Sequence, residues 1–263
     1  MATSLSTLLE LWPVRSLRRA RFNRRFATPH GGGSCRGAFA TLDDAARSAP
    51  PSAPLGYDSP DAGAMYRDRL DQLFPSDYPV VYWLRRWAAD IQQVLDVGGH
   101  VGVSYYAFRP YLVPEQLPQW TVCDVPSVVK AGIELARARN ATDLTFVEHA
   151  SEAAAASVVL AAGSLQYLQP SLPELLMSLP ALPPYVLINK LPTHKRRTFA
   201  TLQHIGVGYC PYRITAMDLP IDQLAPLGYQ LEDRWTNPEL SCDVPFEVDT
   251  GPITYRGYAF RLR

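Results

Sequence analysis

Apolar residues along this chain recur with two periods, and the two alternate. Short, nearly unbroken apolar runs stand at 94–97, 120–124, 144–147, 157–162 and 185–188, as strands buried on both faces do. Between them lie segments of helical spacing. Residues 103–108 stop near Pro110, 127–140 carry Val128, Val129, Ile133 and Ala136 on one face, and Leu172, Leu175, Leu176 and Leu179 form a stripe. A helix near 218–226 leads to a sixth strand at 229–235. Residues 253–262 close the chain after a long connection without a helix, which fits an antiparallel last strand. The alternation predicts an α/β fold: a Rossmann-like, seven-stranded, mostly parallel sheet with helices on both faces.

Upstream the pattern changes. Residues 61–74 and 77–90 read as two helices broken at Pro75, and 49–60 as a Pro/Ser-rich loop. Residues 39–47 read as a short helix with Thr41 as N-cap and Asp43 and Asp44 in its first turn. Downstream, 209–213 reads as a polar connection. At the start, Leu5, Leu8, Leu9 and Trp12 keep helical spacing, and Arg15, Arg18, Arg19, Arg21, Arg24 and Arg25 follow with no acid among them. This divides the chain into a basic arm and helical cover over 1–90 and a ligand-binding domain over 91–263. Three placements of the arm over residues 1–30 stay open: on an anionic membrane surface or partner, packed on its own domain with solvated arginines, or over the ligand site.

Composition narrows the classes. Of 263 residues, 47% are hydrophobic and 19% charged, which is globular rather than disordered. The 25 basic and 25 acidic residues cancel, against a general nucleic-acid binder. Cys35, Cys123, Cys210 and Cys242 are far apart and form no C-x-x-C pair. Neither a zinc site nor a disulfide framework is expected, and reduced thiols in a cytoplasmic protein are. No apolar run approaches the roughly 20 residues of a membrane span, no signal-peptide pattern opens the chain, and no metal cluster is spaced convincingly.

Candidate chemistry centres on Asp96-Val97-Gly98-Gly99-His100-Val101-Gly102, an acidic strand end followed at once by glycines. Glycine lets the backbone turn sharply and approach a ligand closely. The dinucleotide fingerprint G-x-G-x-x-G, begun at Gly98, fails at His100 and Val103, and no phosphate-loop Gly-Lys-Ser/Thr follows. One βα unit later Asp124 ends the second apolar run, where an acid accepts hydrogen bonds from ribose hydroxyls.

The D-x-G-G-x-x-G stretch resembles the first motif of the Rossmann-like methyltransferases that use S-adenosylmethionine (SAM). More specifically, the chain resembles a family of SAM-dependent methyltransferases associated with polysaccharide and secondary-metabolite gene clusters. The resemblance is carried by Gly37-Ala38-Phe39-Ala40-Thr41-Leu42-Asp43-Asp44-Ala45, by Gly56-Tyr57-Asp58, by 94–106 with its tyrosine pair, by 120–126, and by Gly163-Ser164-Leu165-Gln166-Tyr167-Leu168 after the fourth strand. It spans roughly residues 37–263. Where the family carries an acid–arginine pair after the fifth strand, this chain has Asn189-Lys190.

The resemblance implies methyl transfer from SAM to an oxygen or nitrogen of a small polar metabolite or sugar. Because ligands bind at the carboxyl ends of such strands, Asp96, Gly98, Gly99 and Gly102 fall to the methionine end of SAM, and Asp124 and Val125 to the ribose. Glu148 and His149 fall near the adenine, and Gly163, Ser164 and Leu165 form the wall. Tyr57, Tyr105, Tyr106, Tyr167, Lys190 and Arg213 are candidate acceptor contacts. For a hydroxyl acceptor a base is needed, and His194 and His149 are the candidates, with His100 on the same edge. An NAD(P)-dependent reductase or epimerase, a SAM-binding scaffold without turnover, and a homodimer remain as alternatives or additions to this reading.

Overall fold

The computed structural model describes residues 12–59, 65 and 67–263. Ten strands lie within them: β1 (Cys35–Phe39), β2 (Gln93–Val97), β3 (Gln119–Cys123), β4 (Leu144–Val147), β5 (Val158–Ala162), β6 (Tyr185–His194), β7 (Phe199–His204), β8 (Tyr209–Ala216), β9 (Tyr229–Thr236) and β10 (Ile253–Leu262). The helices are α1 (Trp12–Phe26), α2 (Leu42–Arg47), α3 (Tyr78–Arg86), α4 (Val103–Phe108), α5 (Pro126–Ala138), α6 (Leu172–Met177) and α7 (Leu219–Leu224). Seven strands form the expected Rossmann-like sheet in the order β4-β3-β2-β5-β6-β10-β9, and β10 is antiparallel to both its neighbours.

The unbroken apolar runs follow from burial on both faces. Side chains of a strand alternate between faces. Val94, Val158, Leu160, Tyr185 and Leu187 enter one core with Val80, Trp83, Leu84 and Trp87 around α3 and Tyr105 and Phe108 of α4. Leu95, Val97, Val159, Ala161, Val186 and Ile188 enter the other, with Leu172, Leu175 and Leu176 of α6 and Leu224 of α7. Each fully buried Leu or Val contributes about 1.5–3 kcal/mol, so neither face tolerates a polar residue without a partner. Asp96, fully buried in β2, has such a partner for only one of its two oxygens.

The departures lie at one edge. β6 does not end at Ile188. It bends at Lys190 (φ 53°) and runs on to His194, where Thr193 and His194 pair in parallel with Thr215 and Ala216 of β8. The segment 209–213, read as a polar connection, lies in β8, which forms an antiparallel hairpin with β7. Its residues bury large groups: Phe199, Leu202, Tyr209, Tyr212 and Ile214 are all closed from solvent. β1 adds to β7, so the segment before residue 90, expected to be helical, also contributes a strand.

The N-cap at Thr41 is as expected: its side chain accepts from the Asp44 N–H. The helix read at 77–90 is α3. Of the helix read at 61–74, the described part is a 3₁₀ turn at Arg67–Arg69, and residues 60–64 and 66 lie outside the described residues. So do Leu5, Leu8 and Leu9. α1 packs Phe22 and Phe26 against Leu202 and Tyr209. Its Arg15 donates to the Phe246 carbonyl at 3.1 Å, and its Arg19 pairs with Glu247 at 3.1 Å, the latter an exposed ion pair worth little by itself. Among the described residues no helix is long and apolar enough to cross a membrane.

Candidate active site

The parallel strands point their carboxyl ends at a cavity of about 520 Å³. The turn after β2 forms its floor. Gly98 sits at φ 72°, and a Cβ there would lie 2.3 Å from the Ser164 Cβ. A Cβ on Gly99 would lie 2.5 Å from the Asp96 carboxyl carbon. Two close approaches, from the β5 loop and from β2 itself, therefore require the Gly-Gly pair. Beneath it, Asp96 accepts from the Trp120 indole N–H at 3.3 Å, while its Oδ1 has no protein partner. Burial pushes its carboxyl up to about 7. At the end of β3, Asp124 accepts from the backbone N–H groups of His100 at 2.9 Å and Val125 at 2.8 Å. Burial pushes this carboxyl up to about 6 against those two donors.

One wall comes from the segment before α3. Lys190 Nζ pairs with Asp77 Oδ1 at 2.7 Å, both facing the cavity, and the other Asp77 oxygen accepts from the Phe74 N–H at 3.0 Å. Next to Lys190, fully buried Asn189 donates to the Ser76 carbonyl at 2.8 Å and accepts from the Trp235 indole at 3.1 Å and the Asn237 amide at 3.0 Å. The neighbouring residues Asn189 and Lys190 thus grip the neighbouring residues Ser76 and Asp77. This gives the Asn189-Lys190 pair a structural role.

Tyr57 is held over the floor by its neighbours: the Gly56 N–H donates to the Tyr209 carbonyl at 2.8 Å, and Asp58 accepts from the Ser127 N–H at 3.0 Å at the start of α5. The far wall is built by the β7–β8 hairpin and the segments around it. There the Tyr167 hydroxyl donates to Gln203 at 2.6 Å, and the Tyr212 and Tyr255 hydroxyls are 2.8 Å apart.

Of the residues singled out in the sequence, Gly98, Gly99, Asp124, Val125, Gly163, Ser164, Tyr57, Tyr167 and Lys190 line the cavity, as does His100. Asp96 and Gly102 support the turn from behind, and Leu165 is in the core. The two candidate bases are elsewhere. His194, carried past the cavity by the extension of β6, is buried, and its Nδ1 accepts from the backbone N–H groups of Arg196 at 3.3 Å and Arg197 at 3.2 Å. Burial, then the charges of Arg197 and Arg196, lower its pKa. His149 and Glu148 are exposed beyond β4 and do not line the cavity.

Nor do Tyr105, Tyr106 and Arg213 reach it. Tyr105 donates to Asp143 at 2.5 Å and packs on Trp120, Tyr106 lies under the Arg139 guanidinium, and Arg213 donates to the Gln169 carbonyl at 3.3 Å. Sequence reasoning missed Asp77, Gln203, Tyr212 and Tyr255. A signal existed for the hairpin: Gly206 and Gly208 separate two apolar stretches, a turn signature.

No family model and no curated protein sequence matches this chain. Solved structures do match it. The 1,6-didemethyltoxoflavin-N1-methyltransferase of Burkholderia thailandensis, with bound 1,6-didemethyltoxoflavin and S-adenosylhomocysteine, is 20% identical, over 77% of this chain and 82% of that one, with a TM-score of 0.50. OxaC, in complex with SAH and oxaline, is 13% identical over 77% of this chain and 50% of its own, with a TM-score of 0.51. These likenesses establish the fold: the chain has the Rossmann-like architecture of class I methyltransferases.

Proposed function

We propose that this protein is a SAM-dependent methyltransferase acting on an oxygen or nitrogen of a small polar acceptor. The observation that carries the reading is the pairing of two acidic strand ends with the Gly98-Gly99 turn. Asp124 faces the cavity over a glycine floor that lacks the dinucleotide spacing, and Asp96 keeps an unpartnered buried oxygen beneath it. These residues fit SAM: Gly98 and Gly99 would hold the methionine end above Asp96, Asp124 and Val125 the ribose, and Gly163 and Ser164 the wall. SAM, when bound, supplies an electrophilic methyl group on a sulfonium. The bound ligands of the two matched structures, which include S-adenosylhomocysteine, support this choice.

The work left to the chain is alignment and exclusion of water, and positioning supplies at most about 7–11 kcal/mol of barrier reduction. The acceptor fits the lobe between Asp77, Lys190, Tyr167 and Tyr212. Lys190 is already neutralised by Asp77 and Arg213 turns away, so the lobe favours a neutral acceptor over an acidic one. Asp77, and neither His194 nor His149, is the carboxylate or imidazole that borders this lobe.

Titration calorimetry with SAM, S-adenosylhomocysteine and NADH, on the native chain and on Asp124→Ala, tests this. Micromolar binding of the first two, lost in the variant, is expected. Binding of NADH alone would overturn the reading, and tight SAM binding without transfer to any acceptor would reduce the protein to a scaffold.

A further inference from the structure

Cys35 and Cys242 are 207 positions apart in sequence, and their sulfurs are 3.6 Å apart in the fold. Cys35 is buried in β1, and Cys242 is half-buried in the segment joining β9 to β10. They share an apolar cluster with Phe199, Tyr212, Ile214 and Val244. Leu240 and Ser241, just before Cys242, line the cavity together with Tyr212 and Tyr255. The dithiol therefore sits directly behind the cavity's far wall.

We propose that Cys35 and Cys242 are a modification site that a hydroperoxide oxidises to an intramolecular disulfide, with Cys242 attacking and Cys35 resolving. Accessibility assigns the order, because the half-buried sulfur is the one a small peroxide reaches. The hydrogen bond from Cys35, aided by one from Tyr255, holds the Cys242 thiol below its ordinary value, whereas that same contact and burial push Cys35 well up. Burial pushes up the other two thiols, Cys123, which donates to the Glu148 carbonyl at 3.7 Å, to about 12 and Cys210 to about 11.

In the first step the Cys242 thiolate attacks the peroxide O–O bond, forms a sulfenic acid and releases an alkoxide that takes up a proton as the alcohol, or water from hydrogen peroxide. In the second, the Cys35 sulfur attacks the sulfenic sulfur. The S–S bond forms, and hydroxide leaves with the Cys35 proton as water. The two thiols are oxidised by two electrons and the peroxide is reduced by two. The product ties β1 to the cavity's wall segment, and it stands whether or not the chain transfers methyl groups.

The test is peptide mapping without reductant after exposure of the full chain to hydrogen peroxide and alkylation of the remaining thiols. A Cys35–Cys242 linked peptide that dithiothreitol reverses is expected, with Tm raised by on the order of 5 °C in the oxidised form. Cys35→Ser should accumulate a dimedone adduct on Cys242, and Cys242→Ser none on Cys35. Free, alkylatable Cys35 and Cys242 after oxidation would overturn the proposal. So would a link through Cys123 or Cys210, or dimedone on Cys35 alone.

Discussion

Asp124 offers a perturbation whose size follows from the structure. Its carboxyl rises from 3.8 to about 6 because burial outweighs the two N–H groups it accepts. A folded-state pKa above the unfolded value means that the native state holds the proton longer. Stability of the ligand-free protein therefore falls as pH rises from about 4 to 6, by roughly 3 kcal/mol in all. Ribose hydroxyls donating to Asp124 stabilise the carboxylate and pull its pKa back down. SAM binding then releases a proton below pH 6, and Kd at pH 5 is about tenfold weaker than at pH 7 through this group.

Asp96, raised to about 7 chiefly by burial, adds a background that Asp124→Asn keeps, lowered by loss of the Asp124 charge that helps to raise it. The readout is thus the difference between the two pH slopes, measured by calorimetry in buffers of different ionisation enthalpy. The native chain should show the steeper slope and the larger proton release. Equal slopes in the native and Asp124→Asn proteins would refute ribose recognition by this carboxylate.

Gly98→Ala forces a side chain into the left-handed region, at about 1–2 kcal/mol for the backbone alone, and drives its Cβ into Ser164. Loss of SAM binding in calorimetry, beyond any loss in Tm, is expected. Asn189→Ala leaves the Ser76 carbonyl, the Trp235 indole and the Asn237 amide without their buried partner. Urea unfolding should show a loss of roughly 3 kcal/mol. His194→Ala should lower stability by about 1–2 kcal/mol while leaving kcat within twofold, and His149→Ala should change neither. A hundredfold fall in kcat for either histidine variant at unchanged fold would return the catalytic base to the strand edge.

Local pattern along the chain specifies the central sheet and the floor of the cavity. Strands buried on both faces must be apolar along their whole length, so 94–97, 157–162 and 185–188 stand out locally, and a Gly-Gly turn after an acid has few structural explanations. Asp96, Gly98, Gly99 and Asp124 could be read because local chemistry and local geometry coincide there. The rest follows from contacts between segments distant in the chain. Whether 189–194 leaves the sheet or continues it depends on β10, which pairs with Leu191 to His194, and on β8, which pairs with Thr193 and His194, and that extension carries His194 past the cavity.

Asp77 gains meaning only from Lys190, more than a hundred residues away, and the same holds for Cys35 and Cys242. Which face of α4 meets the ligand is likewise set by packing: Tyr105 turns to Trp120 and Asp143, not to the cavity. Pairings between distant segments leave no periodic trace in either partner. The cavity's floor was therefore legible in the chain, and of its walls only Tyr57, Gly163, Ser164, Tyr167 and Lys190 were.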